Sequence, residues 1–197
     1  KLVVSMWPTI NNNSENYWHM RNNNMLMRTS RGPDRVFDFY GWQNEIDVTN
    51  PATRKYVWKK LKENYIDNSV DALWFDEAEP EIHPEHFDNL IWYKGRADMV
   101  ALLYPYYYSK MAYDGFKSIG RDDIITLTRC AYLGSQKFGS LVWSGDIEST
   151  FESLACQVKA GLNMAMCGIP WWNTDIGGFY GADITNDYFK ELIVRWF

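Results

Sequence analysis

The sequence predicts a parallel α/β fold. Short apolar runs alternate with amphipathic helical stretches, and polar residues gather just after the ends of those runs. In a (β/α)₈ barrel the residues after the strand ends form the catalytic face. Five runs read as strands, whereas a closed barrel takes eight and typically about 250 residues against the 197 present here. The pattern alone therefore leaves two architectures, a barrel segment or an open sheet of another kind.

Leu2-Val3-Val4-Ser5-Met6-Trp7, stopped by Pro8, reads as a buried strand. Residues 11–35 are polar, with two Asn triplets, and read as a long loop holding at most a short helix. Asn50-Pro51 starts a helix: Asn caps, and Pro tolerates the first turn. Val57, Leu61 and Tyr65 follow at four-residue spacing and give that helix an apolar face. The run 71–75 is a strand leading into Asp76. A second helix is expected over 96–117, kinked at Pro105. The β-rich run 124–128 delivers Arg129, and Leu141-Val142-Trp143 leads to Asp146. Ser149-Thr150-Phe151-Glu152 fits a capping box, with Leu154, Val158 and Leu162 continuing the helix. Residues 164–169 read as the fifth strand, leading to Asp175. Thr185 is the expected cap of a last helix carrying Phe189, Leu192, Ile193 and Trp196. No internal repeat occurs, and residues 1–197 read as one domain.

Composition narrows the function. With 46% hydrophobic residues the chain can bury a core, and its formal charge of −5 without a basic run argues against nucleic acid as a partner. The 10 Trp suit a sugar site, because pyranose C–H faces pack on aromatic rings, but a large core buries aromatics too. Three cysteines at irregular spacing form neither a disulfide framework nor a zinc site; Cys156 and Cys167 lie on apolar segments and are expected to be buried free thiols. No stretch reads as a transmembrane helix or a signal peptide, so no membrane partner is expected. The chain starts at Lys1 in an apolar run and stops at Phe197 within a helical pattern. It is therefore expected to be cut from something longer. Compartment, with a cytoplasmic leaning, and homo-oligomerisation of the full-length protein stay open.

Four constellations carry potential chemistry. In Trp74-Phe75-Asp76-Glu77-Ala78-Glu79-Pro80-Glu81, Asp76 is the first polar residue beyond a strand, placed for nucleophilic attack at a pocket floor. The four carboxylates there are not expected to be mutually paired, and a solvated acidic loop is the plainer reading. In Trp143-Ser144-Gly145-Asp146, a Gly turn would set Asp146 beside an aromatic wall. Apolar surroundings favour the protonated carboxyl that a general acid requires; the rival is a helix-start Asp. Trp171-Trp172-Asn173-Thr174-Asp175-Ile176-Gly177-Gly178-Phe179 suits a ring-stacking wall with a hydrogen-bonding carboxylate, or a buried Trp before a turn. Arg129 could hold Asp175 or a sugar hydroxyl, or form a structural ion pair. His83-Pro84-Glu85-His86 invites a metal, but Pro84 breaks the helix on which paired histidines would share a face, so no metal or cofactor is expected.

Taken together these residues resemble glycoside hydrolase family 31, the retaining α-glycosidases, over nearly the whole chain and in the family's order. Trp7-Pro8 is similar to the Trp-Pro after an early barrel strand, and Asp47-Val48-Thr49-Asn50-Pro51 to the family's helix entry. Trp74-Phe75-Asp76 with Glu79-Pro80 resembles the nucleophile motif, and Trp143-Ser144-Gly145-Asp146 the acid/base motif. The resemblance implies Asp76 as nucleophile and Asp146 as acid/base. It also implies substrate-binding roles for Arg129 and Asp175, with Trp7, Trp74, Trp143 and Phe179 lining the site. It implies a (β/α)₈ barrel of which this chain supplies about strands three to seven. The family's opening strands carry a substrate-binding aspartate and aromatics, and a histidine follows its last strand. With those outside the chain, the segment alone is expected to be inactive. Glu79-Pro80-Glu81 and Trp172 to Phe179 lean toward the α-xylosidase branch over glucosidases. The substrate expected is an α-glycoside or oligosaccharide with a terminal xylosyl or glucosyl residue. Three rivals are a transglycosylase or lyase on the same site, a glycan-binding barrel without catalysis, and a metal-dependent hydrolase built on the acidic cluster.

Overall fold

The structure is a computed structural model that describes residues 1–32, 37–38 (as backbone), 41–80 and 87–197. Its centre is a five-stranded sheet of β1 (Val3–Met6), β6 (Ala72–Phe75), β9 (Thr126–Thr128), β10 (Ser140–Trp143) and β11 (Trp172–Asn173), in that spatial order. Every neighbouring pair is parallel. Spatial order follows chain order, so the sheet winds in one direction. A doubly wound sheet would reverse its order at a switch point; this one is the arc of a barrel.

Register places the strand ends level. Met6 pairs with Phe75, Phe75 with Thr128, Thr128 with Val142 and Val142 with Trp172. Leu73 and Phe75 are wholly buried, and Phe75 stacks on Tyr108 at 4.1 Å. Tyr108 belongs to α4 (Tyr104–Ser118), which packs on α2 (Pro51–Asn64) through an edge-to-face contact of Trp58 with Phe116. The core thus lies between one face of the sheet and these helices. The alternate residue of β6, Trp74, points the other way and stays partly exposed.

Two small antiparallel sheets flank the arc. One orders β2 (Thr9–Asn11), β5 (Trp42–Glu45) and β4 (Phe37–Asp38). The other orders β3 (Arg28–Thr29), β7 (Leu90–Trp92) and β8 (Gly95–Arg96). The predicted loop 11–35 thus holds the end of β2, the short helix α1 (Tyr17–Asn22) and β3 among its turns, with residues 33–35 outside the described part. Asp47, almost fully buried, ties this region to the barrel. It accepts hydrogen bonds from Thr49 N, Thr49 Oγ1 and Tyr93 N at 3.0, 2.6 and 2.6 Å. Burial pushes its carboxyl up, and the three donors pull it back. Asn50 then caps α2 by accepting from Ala52 N at 2.9 Å, as its sequence predicts.

Several expectations need correction. β1 is an edge strand with Val3 51% exposed, not a buried one, because among the described residues only β6 pairs with it. On α2 the buried side chains are Thr53, Trp58 and Leu61, while Tyr65 ends the helix and is exposed. The 96–117 pattern is two helices, α3 (Ala97–Val100) and α4, parted by a 3-10 turn over Ala101–Leu103. Pro105 sits in the first turn of α4, where its missing N–H costs nothing, so it starts a helix rather than kinking one. The cap of α5 (Phe151–Met166) is Thr150, which accepts from Ser153 N at 3.1 Å. Ser149 is committed elsewhere, its N–H donating to Tyr180 O. The expected strand over 164–169 is the end of α5 and the turn after it, and the fifth strand is the pair Trp172–Asn173. Asn186, not Thr185, caps α6 (Asp187–Trp196); Thr185 bonds to Asp183 instead. No residue of α5 is buried, so Val158, Leu162 and Cys156 are exposed, as is Cys167 just beyond it. Among the described residues no helix is long and apolar enough to cross a membrane.

Candidate active site

Five of the predicted site residues each follow one of the parallel strands: Trp7 after β1, Asp76 after β6, Arg129 after β9, Asp146 after β10 and Asp175 after β11; Trp74 and Trp143 lie on β6 and β10 themselves. The ladder extends one residue further to fix two of them. Asp76 N donates to Met6 O and Arg129 N to Phe75 O, both at 3.1 Å. A cleft of about 580 Å³ opens there, lined by Trp7, Trp74, Asp76, Trp143, Asp146, Asp175 and Phe179 together with Glu77, Asn173 and Thr174. Trp74 and Trp143 meet edge to face at 5.7 Å and form its aromatic wall.

Both oxygens of Asp76 are held. Oδ2 accepts from Trp7 Nε1 at 3.0 Å, and Oδ1 accepts from Glu77 N at 3.0 Å and from Arg129 Nη1 at 3.4 Å. This leaves one orientation for the carboxylate. Asp146 stands on the turn made by Gly145, whose φ of +77° suits a residue without Cβ. Its Oδ2 also lies 3.4 Å from Arg129 Nη1. The facing oxygens of Asp76 and Asp146 are thus no farther apart than twice that distance.

Arg129 organises the cluster. Its Nη1 contacts Asp76, Asp146 and, at 2.9 Å, Glu77 Oε1, while its Nε lies 2.7 Å from Glu79 Oε1. Three of the acidic residues after β6 therefore share one cation, so the segment is not the solvated acidic loop that was the plainer reading of its sequence. The alternative partner Asp175 is not used: among the described residues no ion pair joins it to Arg129. Glu77, Glu79, Asn173 and Thr174 lie within the motifs read from sequence but were given no individual role there. The available signal was Glu77-Ala78-Glu79, two acids two residues apart beside a single strand-end arginine. Among the described residues no group of His, Cys, Asp and Glu is arranged to hold a metal ion, and His83, Glu85 and His86 lie outside that part.

Asp175 faces the cleft partly buried. Desolvation pushes its carboxyl up, the Asp146 and Asp76 charges add to this, and Arg129 opposes it. A carboxyl raised in the folded state favours folding while protonated and costs stability once ionised. Asp175→Asn should therefore raise Tm at pH 7, and the gain should fade as the pH drops toward and below the ordinary value of 3.8. Thermal melts at pH 7 and pH 3 check this; an equal shift at both would refute it.

The Asp146 and Asp175 loops are locked together. Ser149 N donates to Tyr180 O, and Phe179 N donates to Ile147 O at 2.7 Å. Gly178, at φ +90°, makes that approach feasible, since a Cβ there would lie 2.7 Å from Ser149 Cα.

Comparison with known proteins places the fold in a family. The model of the glycosyl hydrolases family 31 TIM-barrel domain matches residues 1–197. A family 31 glucosidase of Pseudescherichia vulneris, itself uncharacterised, is 42% identical over all of this chain and 37% of its own length. α-Xylosidase A of Aspergillus niger is 31% identical over 100% of this chain and 31% of its length. An α-xylosidase from a soil metagenome, solved in complex with xylose, superposes with a TM-score of 0.96 at 46% identity, covering 100% of this chain and 29% of that one. The chain thus spans about a third of the length of the relatives it matches. On the match of the whole sequence and on the arc of parallel strands, the chain belongs to the TIM-barrel domain of glycosyl hydrolases family 31.

Proposed function

We propose that this barrel segment carries the catalytic pair of a retaining α-glycoside hydrolase acting on α-linked xylosyl or glucosyl residues, with Asp76 as nucleophile and Asp146 as acid/base. One observation carries the reading. The two carboxylates reach the same guanidinium nitrogen at 3.4 Å each, across a cleft with a tryptophan wall. Their facing oxygens, no farther apart than twice that distance, accommodate the roughly 5–5.5 Å carboxyl separation of retaining pairs.

Chemistry follows from the placement. Asp146 protonates the glycosidic oxygen while Asp76, held by Trp7 and Glu77 N, attacks the anomeric carbon. The C–O bond to the leaving group breaks and a β-linked enzyme ester forms. Asp146 then removes a proton from water, which displaces Asp76 and restores the α configuration. Trp74, Trp143, Trp7 and Phe179 pack the sugar, Asp175 faces its hydroxyls, and Arg129 acts from behind the lining by holding the carboxylates. The α-xylosidases among the relatives support xylosyl as the first sugar to try.

The test is the first-formed anomer. The polypeptide carrying these 197 residues is given an aryl α-xyloside and an aryl α-glucoside, and proton NMR follows the product before mutarotation. The α anomer is expected first. The β anomer would overturn the retaining mechanism, an unsaturated sugar would indicate a lyase, and binding without turnover would favour a glycan-binding barrel.

A further inference from the structure

Resting on that reading, we propose that Glu77 is a positioning residue that anchors Arg129 between Asp76 and Asp146 and offsets its charge, so that Asp146 can hold a proton beside a permanent cation. Arginine stays charged at any working pH. Left to the two catalytic aspartates alone, a guanidinium would close to the 2.7–2.9 Å typical of charge-assisted bonds and hold both as anions. That would suit Asp76 and disable Asp146 as an acid.

The observed contacts are graded otherwise. Nη1 makes its shortest contact, 2.9 Å, with Glu77 Oε1, and stands at 3.4 Å from both aspartates. Glu79 takes Nε at 2.7 Å as a second anchor. Glu77 is the better shielded of the two, its side chain 13% exposed against 43% for Glu79. Its backbone adopts φ +49°, a left-handed conformation uncommon for a residue with a side chain. The backbone thus turns back immediately after the nucleophile. In that turn Glu77 donates its N–H to Asp76 Oδ1 and presents its own carboxylate to Arg129.

Among the described residues the other groups around the cation are few. From the segment after β6 come Asp76, Glu77 and Glu79; from the loop after β10 comes Asp146, with Asp175 beyond it on the loop after β11. Cys130 adjoins Arg129 in the chain, and Tyr108 lies beneath Asp76; burial pushes the thiol and the phenol up, so both stay neutral. With those two silent, the described groups that set the charge at Asp146 are one guanidinium and its carboxylates, and Glu77 is the anchor on the same Nη1 that reaches both aspartates, while Glu79 offsets the cation from Nε.

The test is the pH profile of kcat/KM for Glu77→Gln, which keeps the shape and removes the charge. Losing a negative neighbour favours the ionised form of both catalytic aspartates, so both limbs should move to lower pH, by about one unit. Glu77→Asp, which restores the charge, should return the limbs toward the wild-type positions even where kcat stays reduced. A merely structural role would lower kcat in both variants and leave the limbs in place, which would overturn the proposal. If Glu77→Gln fails to fold, Glu79→Gln, removing the more exposed anchor, should move the basic limb the same way by less; an unmoved limb there would also overturn it. Mechanism-based labelling of wild type separates the two claims. Failure to label Asp76 defeats the functional reading, whereas labelled Asp76 with unmoved limbs defeats this inference alone.

Discussion

Asp76→Ala is expected to lower kcat/KM for α-glycosides by at least ~10⁴-fold, because the covalent route loses its nucleophile. The fold should survive. Arg129 keeps Glu77 and Glu79 as anchors, and the main loss is the acceptor of Trp7 Nε1. The space left by the carboxylate admits a small anion. Added azide should then attack the anomeric carbon directly from the face Asp76 occupied, giving a β-glycosyl azide, provided that Asp146 still protonates the leaving oxygen. Loss of activity with unchanged melting, and recovery as the β-azide, would tie Asp76 to attack. A variant with more than a tenth of wild-type activity would remove it from that role.

The second large effect belongs to Asp146→Ala. A positioned general acid contributes roughly 10²–10⁴-fold, and it matters most when the departing oxygen is basic. The variant should lose about that factor on alkyl glycosides and much less on aryl glycosides whose phenols leave without help. The ester on Asp76 should then accumulate, since water lacks its base. Azide needs no base, so it should restore turnover and give the α-glycosyl azide. Opposite azide anomers from the two variants assign attack and proton transfer to separate residues, and the same anomer from both would contradict the assignment.

The parallel arc was readable in the sequence because its elements are long-range in structure but local in pattern. β6, β9 and β10 belong to apolar or β-rich runs that each stop at a polar residue, β1 belongs to one stopped by Pro8, and Asn50-Pro51 marks the start of α2. The residues expected around the cleft lie just past those stops, and level register brings them together. Residues 164–169 show the limit of such reading. A short apolar run has no period to separate strand from helix, and Asn163-Met164-Ala165-Met166 continues α5 while Trp172-Asn173 makes the strand.

The small sheets escaped for another reason. Strands of two to four residues such as β2, β3 and β5 exist only because distant partners supply their hydrogen bonds, and no local propensity announces them. Side-chain environments were hardest to foresee. Cys156 and Cys167 sit on apolar stretches whose exposure depends on what packs against α5, and among the described residues nothing there buries them. Arg129 was recognised as a cation near carboxylates, but its choice of Glu77 and Glu79 over Asp175 depends on the left-handed turn at Glu77, which the one-dimensional pattern does not encode.

The central claim is that Asp76 forms the covalent intermediate, and one labelling experiment reaches it directly. The polypeptide carrying this chain is incubated with 5-fluoro-α-xylosyl fluoride and with 5-fluoro-α-glucosyl fluoride. Intact mass is read, and the labelled peptide is sequenced. A sugar-sized adduct on Asp76, faster with the reagent of the preferred sugar, is the predicted result. An adduct on another carboxylate, or none on a preparation that still cleaves α-glycosides, would contradict it.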